Sequence, residues 1–230
     1  MKILKMGLLC LYLMYVTTIF VLLIVLQHKI DNHLLFSILV TGFLISIVCN
    51  KKTISSEIGS LALFFTVFAD CFLTLSEFYN QLNGLIFFTI VGFLYIIIVA
   101  IDSKKMTNII SITVRIILSS TIIILSSFIE ILNLENTIAV VYFTNCSITC
   151  ILSLFTKKKN ICLIVGLFLF LLCDFFVGVS GSNISFGILT KLTDTVFISW
   201  IFYLPSQVVL AINNIDITFN IKKKFKKELK

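Results

Sequence analysis

The sequence predicts an all-α polytopic membrane protein of eight transmembrane helices with both termini on the cytoplasmic side. Three observations lead there. Of 230 residues, 59% are hydrophobic and only 13% charged, with a mean hydropathy of +1.13. A soluble domain averages about 45–50% apolar and about 25% charged residues, because polar groups must cover its surface. The apolar residues are gathered into eight continuous runs, most close to the ~20 residues a bilayer-spanning helix needs. Basic residues, finally, fall on every second separator between the runs. Soluble enzymes, secreted disulfide scaffolds and disordered chains are excluded together.

In order, the runs cover roughly 7–27, 34–49, 58–75, 82–101, 109–132, 137–155, 161–179 and 196–212. Polar separators divide them: Gln27 to His33, Asn50 to Glu57, Ser76 to Gln81, Asp102 to Asn108, Asn133 to Asn136, Thr156 to Asn160, and Ser180 to Thr195. None of the runs alternates with the period of two that an outer-membrane barrel requires. The first run is longer than a signal-peptide core and lacks a small-residue cleavage site after it, so it reads as a retained span.

Lysines set the expected orientation. Lys2 and Lys5 precede the first run, Lys51 and Lys52 follow the second, and Lys104 and Lys105 follow the fourth. Lys157, Lys158 and Lys159 follow the sixth, and six more lie between Lys222 and Lys230. The opposite separators hold only Lys29 and Lys191. Under the positive-inside rule that asymmetry places both termini in the cytoplasm of a plasma-membrane protein. Residues 1–215 then form one transmembrane domain, and 216–230 a basic tail that meets anionic lipid headgroups. The net charge of +7 is thereby explained by topology, with no call for nucleic acid.

The seven cysteines lie within apolar runs and none has Cys-x-x-Cys spacing, so they read as small core residues rather than metal or redox ligands. His28 and His33 share a separator without the carboxylates that would complete a metal site. Arg115 lies about two turns into the fifth run, where its side chain is expected to snorkel to the inner headgroups.

Ionisable groups deeper in hydrocarbon cost at least about 2.5–3.5 kcal/mol and need a purpose. Asp70 in the third run and Asp174 in the seventh are such groups. Counted from the starts of their runs, both lie ~18–20 Å from the cytoplasmic side. Their flanks also match: with the aspartates superposed, Leu63 meets Leu167, Phe64 meets Phe168 and Phe72 meets Phe176. An offset of four runs points to a parallel four-plus-four repeat. The eighth run adds Trp200, Tyr203 and Gln207 near the same level, beside Pro205, the only proline. Tyr203 and Gln207 are four residues apart and share a helix face.

At these residues the chain resembles the YhhN family of eight-span membrane proteins, whose characterised members are lysoplasmalogenases. The family segment Phe-Ser-x-x-Gly-Asp-x-x-Leu is matched by Phe65 to Leu73, with Thr66 for serine, Ala69 for glycine and Asp70 retained. A later Gly-x-x-x-Phe-x-x-Ser-Asp segment is matched by Gly166, Phe170, Cys173 and Asp174, and a closing Tyr-x-x-Ala-Gln by Tyr203 to Gln207. The family's His-x-x-Tyr is met by Gly92 and Tyr95, so Tyr95 is kept and the histidine is absent.

The resemblance implies hydrolysis of the vinyl ether of a lysophospholipid to a fatty aldehyde and a glycerophospho-headgroup, with no metal or organic cofactor. Such chemistry needs a neutral carboxylic acid to protonate the enol-ether carbon, and a carboxylate to steady the resulting oxocarbenium ion or activate water. Glycosidases divide two carboxyl groups in this way. Asp70 and Asp174 are the implied catalytic pair, with Tyr203, Gln207, Tyr95 and Trp200 supporting or binding substrate. Two aspartates at one depth beside a proline-bearing helix suit a small-solute or proton-coupled transporter equally well. A family member without activity, or one whose aspartates only join helices, is the remaining alternative.

Overall fold

The computed structural model describes residues 2–26, 31–75, 77–128, 133–157, 159–181 and 195–216. The basic tail beyond 216, Lys29, Lys191, His28 and Lys158 lie outside them. Among the described residues there are eight helices: α1 (Lys2–Leu26), α2 (Asn32–Val48), α3 (Ile54–Thr74), α4 (Gln81–Asp102), α5 (Lys105–Phe128), α6 (Leu134–Ser153), α7 (Ile161–Gly181) and α8 (Thr195–Asn214). Six are long and apolar enough to cross a membrane, the make-up of a multi-pass helical membrane protein. The other two are α2, with 17 residues, and α8, which carries Pro205.

Four of the polar separators supply helix caps. Asp31, Asn80 and Asn133 each accept a backbone N–H of the helix that follows, satisfying donors that have no partner within the first turn. Thr53 and Ser56 form a reciprocal capping box. That box starts α3 at Ile54, four residues before the apolar run, because capping rather than hydropathy decides where a helix begins. Asp70 therefore stands sixteen residues from its helix start and Asp174 thirteen, a difference of ~4.5 Å in rise where the sequence predicted near equality.

Helices α3, α4, α6, α7 and α8 close a ring, each packed on the next and α8 packed back on α3. Helix α2 lies against α3 and α8, α1 against α2, and α5 against α6. One buried cluster fills the ring, including Leu63, Phe88, Val91, Tyr95, Tyr142, Leu167, Phe170 and Tyr203. A second joins α1, α2 and α8 through Tyr12, Val16, Ile19, Ile38 and Leu204. At Gly166 a Cβ would lie 2.7 Å from the Leu210 side chain, so glycine is what lets α7 and α8 approach this closely.

The two halves repeat the same adjacencies. Contacts α1–α2, α2–α3 and α3–α4 recur as α5–α6, α6–α7 and α7–α8, and α2–α8 exchanges with α4–α6. The backbone follows suit. The Lys51 N–H donates to the Asn214 carbonyl, joining the ends of α2 and α8, and the Lys157 N–H donates to the Asp102 carbonyl, joining the ends of α6 and α4, both at 3.0 Å. The α3–α8 contact is the one without a counterpart among these pairs.

These bonds also define one end of the bundle. Cys49 reaches the Lys5 carbonyl, Asn50 bridges Ile215, Asn160 donates to Asn213, and Asn108 donates to Ala100. The start of α1 and the end of α8 thus share the end that carries Lys5, Lys51, Lys52, Lys104, Lys157 and Lys159. At the opposite end Asn32 donates to the Thr74 carbonyl.

Candidate active site

Asp70 is 3% exposed on α3, and its carboxylate accepts a hydrogen bond from the Tyr203 hydroxyl of α8. A buried carboxylate is tolerated only where its oxygens find donors, and the α3–α8 contact supplies this one. Trp200 lies edge-on to Tyr203 with ring centroids 5.5 Å apart. Thr66 and Gln207 sit one turn away on the same faces of their helices, four residues from Asp70 and Tyr203 respectively.

Asp174 on α7 is partly exposed and accepts from the Tyr142 hydroxyl of α6 at 2.8 Å. Sequence reasoning missed Tyr142. Its signal was available: it is the tyrosine of the sixth run, eight residues from the start of α6. Nothing in its flanks tied it to Asp174, 32 residues away.

The two tyrosine–aspartate pairs share one aromatic wall. Phe88 lies 6.3 Å from the Tyr142 ring and 6.5 Å from that of Tyr203, and Phe170 lies 5.7 Å from Phe88 and 6.0 Å from Tyr203. Asp70 is within electrostatic reach of Asp174. The fold therefore gathers both predicted carboxyl groups, Tyr203 and Trp200 around a single apolar centre, each carboxylate oriented by its own phenol.

Two small cavities adjoin this centre, each of about 10 Å³, the space of about one water molecule. Tyr12, Leu39, Gly42, Leu63, Thr66 and Gln207 line the first, and the buried Gln207 Oε1 has no hydrogen-bond partner. Gly92, Tyr95, Cys146, Thr149, Leu167, Phe170 and Leu171 line the second, and there the Tyr95 hydroxyl has none. Gly42 and Cys146, Leu63 and Leu167, and Thr66 and Phe170 are separated by the same interval as the two aspartates. The cavities are equivalent places in the two halves, each one turn from an aspartate and each holding one unsatisfied polar atom.

Two expectations are corrected or sharpened here. Arg115 does not snorkel: it is 8% exposed and its guanidinium turns onto α6, donating to Asn145 and Thr149. Those oxygens lie within the bundle, so hydrogen bonding outcompetes the reach to the headgroups. At Gly92 an added Cβ would lie 3.3 Å from both the Cys146 sulfur and the Tyr142 ring. The space a histidine side chain would take there is held by Tyr142 and Cys146.

Among the described residues no cluster of His, Cys, Asp or Glu has the form of a metal site, and the described cysteines are free. The donor set is one of carboxyls, phenols and an amide, suited to moving protons and holding water.

Comparison with curated proteins returned no match, nor did comparison with solved structures. The family model described as the YhhN family matches residues 2–214, a stretch that contains both aspartates, both phenols and all eight helices: the chain belongs to the YhhN family.

Proposed function

We propose that this protein is an integral-membrane hydrolase that cleaves the vinyl ether of a lysophospholipid of the lysoplasmalogen type. The observation that carries the reading is the pair of tyrosine-bonded aspartates, Asp70 and Asp174, on one aromatic wall. A carrier has no need to orient two carboxyls with two separate phenols around an apolar centre, whereas an enol-ether hydrolase needs an acid, a base and a dry wall for the alkenyl group.

One aspartate of the pair, in its neutral form, is the proton donor to the enol-ether carbon. The adjacent carbon becomes an oxocarbenium ion, which the carboxylate of the other aspartate stabilises. Water from the small cavities that lie one turn from Asp70 and Asp174 adds to that carbon and gives a proton to that carboxylate. The hemiacetal then collapses: its hydroxyl proton returns to the aspartate that acted as acid, the carbon–oxygen bond to glycerol breaks, the glycerol oxygen takes the proton held by the other aspartate, and the aldehyde leaves. Both aspartates end in the states in which they began.

All eight helices span the membrane in this reading, with the lysine-rich end in the cytoplasm and the plasma membrane as host. Lysines at that end hold anionic headgroups at about 1 kcal/mol per charge. The short α2 is itself an apolar helix, and Ser206, Gln207 and Asn214 of α8 are buried against other helices rather than facing lipid. Aldehyde release from a lysoplasmalogen by the purified protein tests the activity. Uptake of a small solute into vesicles, without aldehyde release, would assign the aspartates to transport.

A further inference from the structure

We propose that Arg115, together with Asn145 and Thr149, receives the phosphate of the lysophospholipid headgroup. The inference rests on the lipid-hydrolase reading and adds to it the group that positions the substrate.

Arg115 holds a full charge inside the bundle. Its Nε donates to Ser111 Oγ at 3.1 Å, one terminal nitrogen donates to the Asn145 carbonyl at 2.8 Å and to Asn145 Oδ1 at 3.1 Å, and the other donates to Thr149 Oγ1 at 2.9 Å. Four of the five N–H groups of a guanidinium are used, all on neutral oxygens. Neutral acceptors orient a buried cation without cancelling its charge, and an uncompensated charge in hydrocarbon is costly. Among the described residues the bonds of Arg115 all go to neutral oxygens, and Arg115 is 8% exposed on the α6-facing side of α5, so the anion that completes the site is assigned to a ligand.

Helix α6 measures the distance from that cation to the chemistry. Tyr142, which holds Asp174, and Cys146 and Thr149 lie on one stripe of α6, and the last two line the second cavity. From Tyr142 to Thr149 is ~10 Å of rise, comparable with an extended glycerol backbone from enol-ether carbon to phosphorus. Cys146, between them, is within electrostatic reach of both Asp174 and Arg115. The cavity beside Thr149 also holds the unpartnered Tyr95 hydroxyl, a further donor for a phosphate oxygen. Thr149 stands four residues from the end of α6, toward the lysine-rich end, where a headgroup would lie. The cavity has room for about one water molecule, so the lipid must part α4 from α6 at Gly92, where the contact is made without a side chain.

The test uses the full-length protein in neutral detergent and three probes: a saturated 1-alkyl-glycerophosphocholine, which cannot be cleaved, the corresponding 1-alkylglycerol without phosphate, and inorganic phosphate. Affinity is read by thermal shift. The wild type is expected to bind the phosphate-bearing lysolipid about tenfold more tightly than the alkylglycerol, as charge-assisted bonds to one phosphate allow. Arg115→Met should remove that preference and leave alkylglycerol binding in place. Arg115→Lys, which keeps the charge but not the fork, should retain part of it and keeps the test valid if the methionine variant fails to fold. Equal affinity of the wild type for both lipids, or an undiminished preference in both variants, overturns the proposal. So does inorganic phosphate that stabilises the protein as strongly as the lysolipid, which would make the site one for free phosphate. None of these readouts depends on vinyl-ether cleavage, so failure here and failure of the hydrolase reading are separate results.

Discussion

Tyr203 on α8 and Asp70 on α3, 133 positions apart in the chain, are joined by a buried hydrogen bond, and that bond lies at the α3–α8 contact, which has no counterpart among the principal helix contacts of the described residues. The repeat supplies two aspartates. The α3–α8 contact makes them unlike, burying one and leaving the other partly exposed. Two similar carboxyl groups are given different surroundings, the condition for an acid and a base to coexist.

Removal of the Tyr203 hydroxyl leaves Asp70 buried without that donor. Tyr203→Phe should cost about 1–3 kcal/mol of stability and reduce turnover at least about tenfold, measured as thermal midpoint and aldehyde release per folded molecule. Gln207→Ala removes a buried amide whose Oε1 has no partner and whose Nε2 makes a long 3.4 Å bond to the adjacent Ser206, so it should cost little stability yet impair turnover. If turnover per folded molecule is unchanged in both variants, the two residues only pack helices.

The division of labour between the aspartates predicts unlike variants. Of Asp70→Asn and Asp174→Asn, the variant that loses the acid should show no turnover, because no proton donor remains. The variant that loses the base should be partly rescued by azide, a nucleophile that captures the cation without a base. The double variant should be little worse than either single one, since residues acting as a unit are not additive. Rescue of both variants, or of neither, would contradict a division into acid and base. An acid and a base working together also predict a rate that falls on both sides of a pH optimum.

Gly92 should not accept the histidine that the family pattern carries. Its Cβ position lies 3.3 Å from Cys146 and from Tyr142, so Gly92→His must displace Tyr142 from Asp174. Overpacking of this kind costs about 1–3 kcal/mol, and Gly92→His combined with Cys146→Ala should recover part of the lost thermal midpoint. A single variant as stable as the wild type would show that the α4–α6 contact is looser than described.

Eight helices were legible because each is an apolar run between polar separators, and the Asp70–Asp174–Tyr203 set was legible because charge and phenol are conspicuous in hydrocarbon. Tyr142 and Arg115 were not. Which way a side chain points around a helix axis depends on the neighbouring helices, and α5–α6 packing turned Arg115 inward to Asn145 and Thr149. The start of α3 was misplaced for a local reason, since the Thr53–Ser56 box is polar and carries no hydropathy signal.

Topology is tested by reporters. One fused at Lys230 should report the cytoplasm and one inserted after Ser182 the opposite side. The same side for both would mean an even number of crossings between them and would remove the membrane orientation proposed for the lysine-rich end.

The most direct measurement is aldehyde release from a lysoplasmalogen by purified wild-type protein beside Asp174→Asn, with both shown to be folded by thermal midpoint. The account predicts stoichiometric aldehyde and glycerophospho-headgroup from the wild type and none from the variant. A folded wild type that releases no aldehyde, or a variant that releases as much, would contradict it.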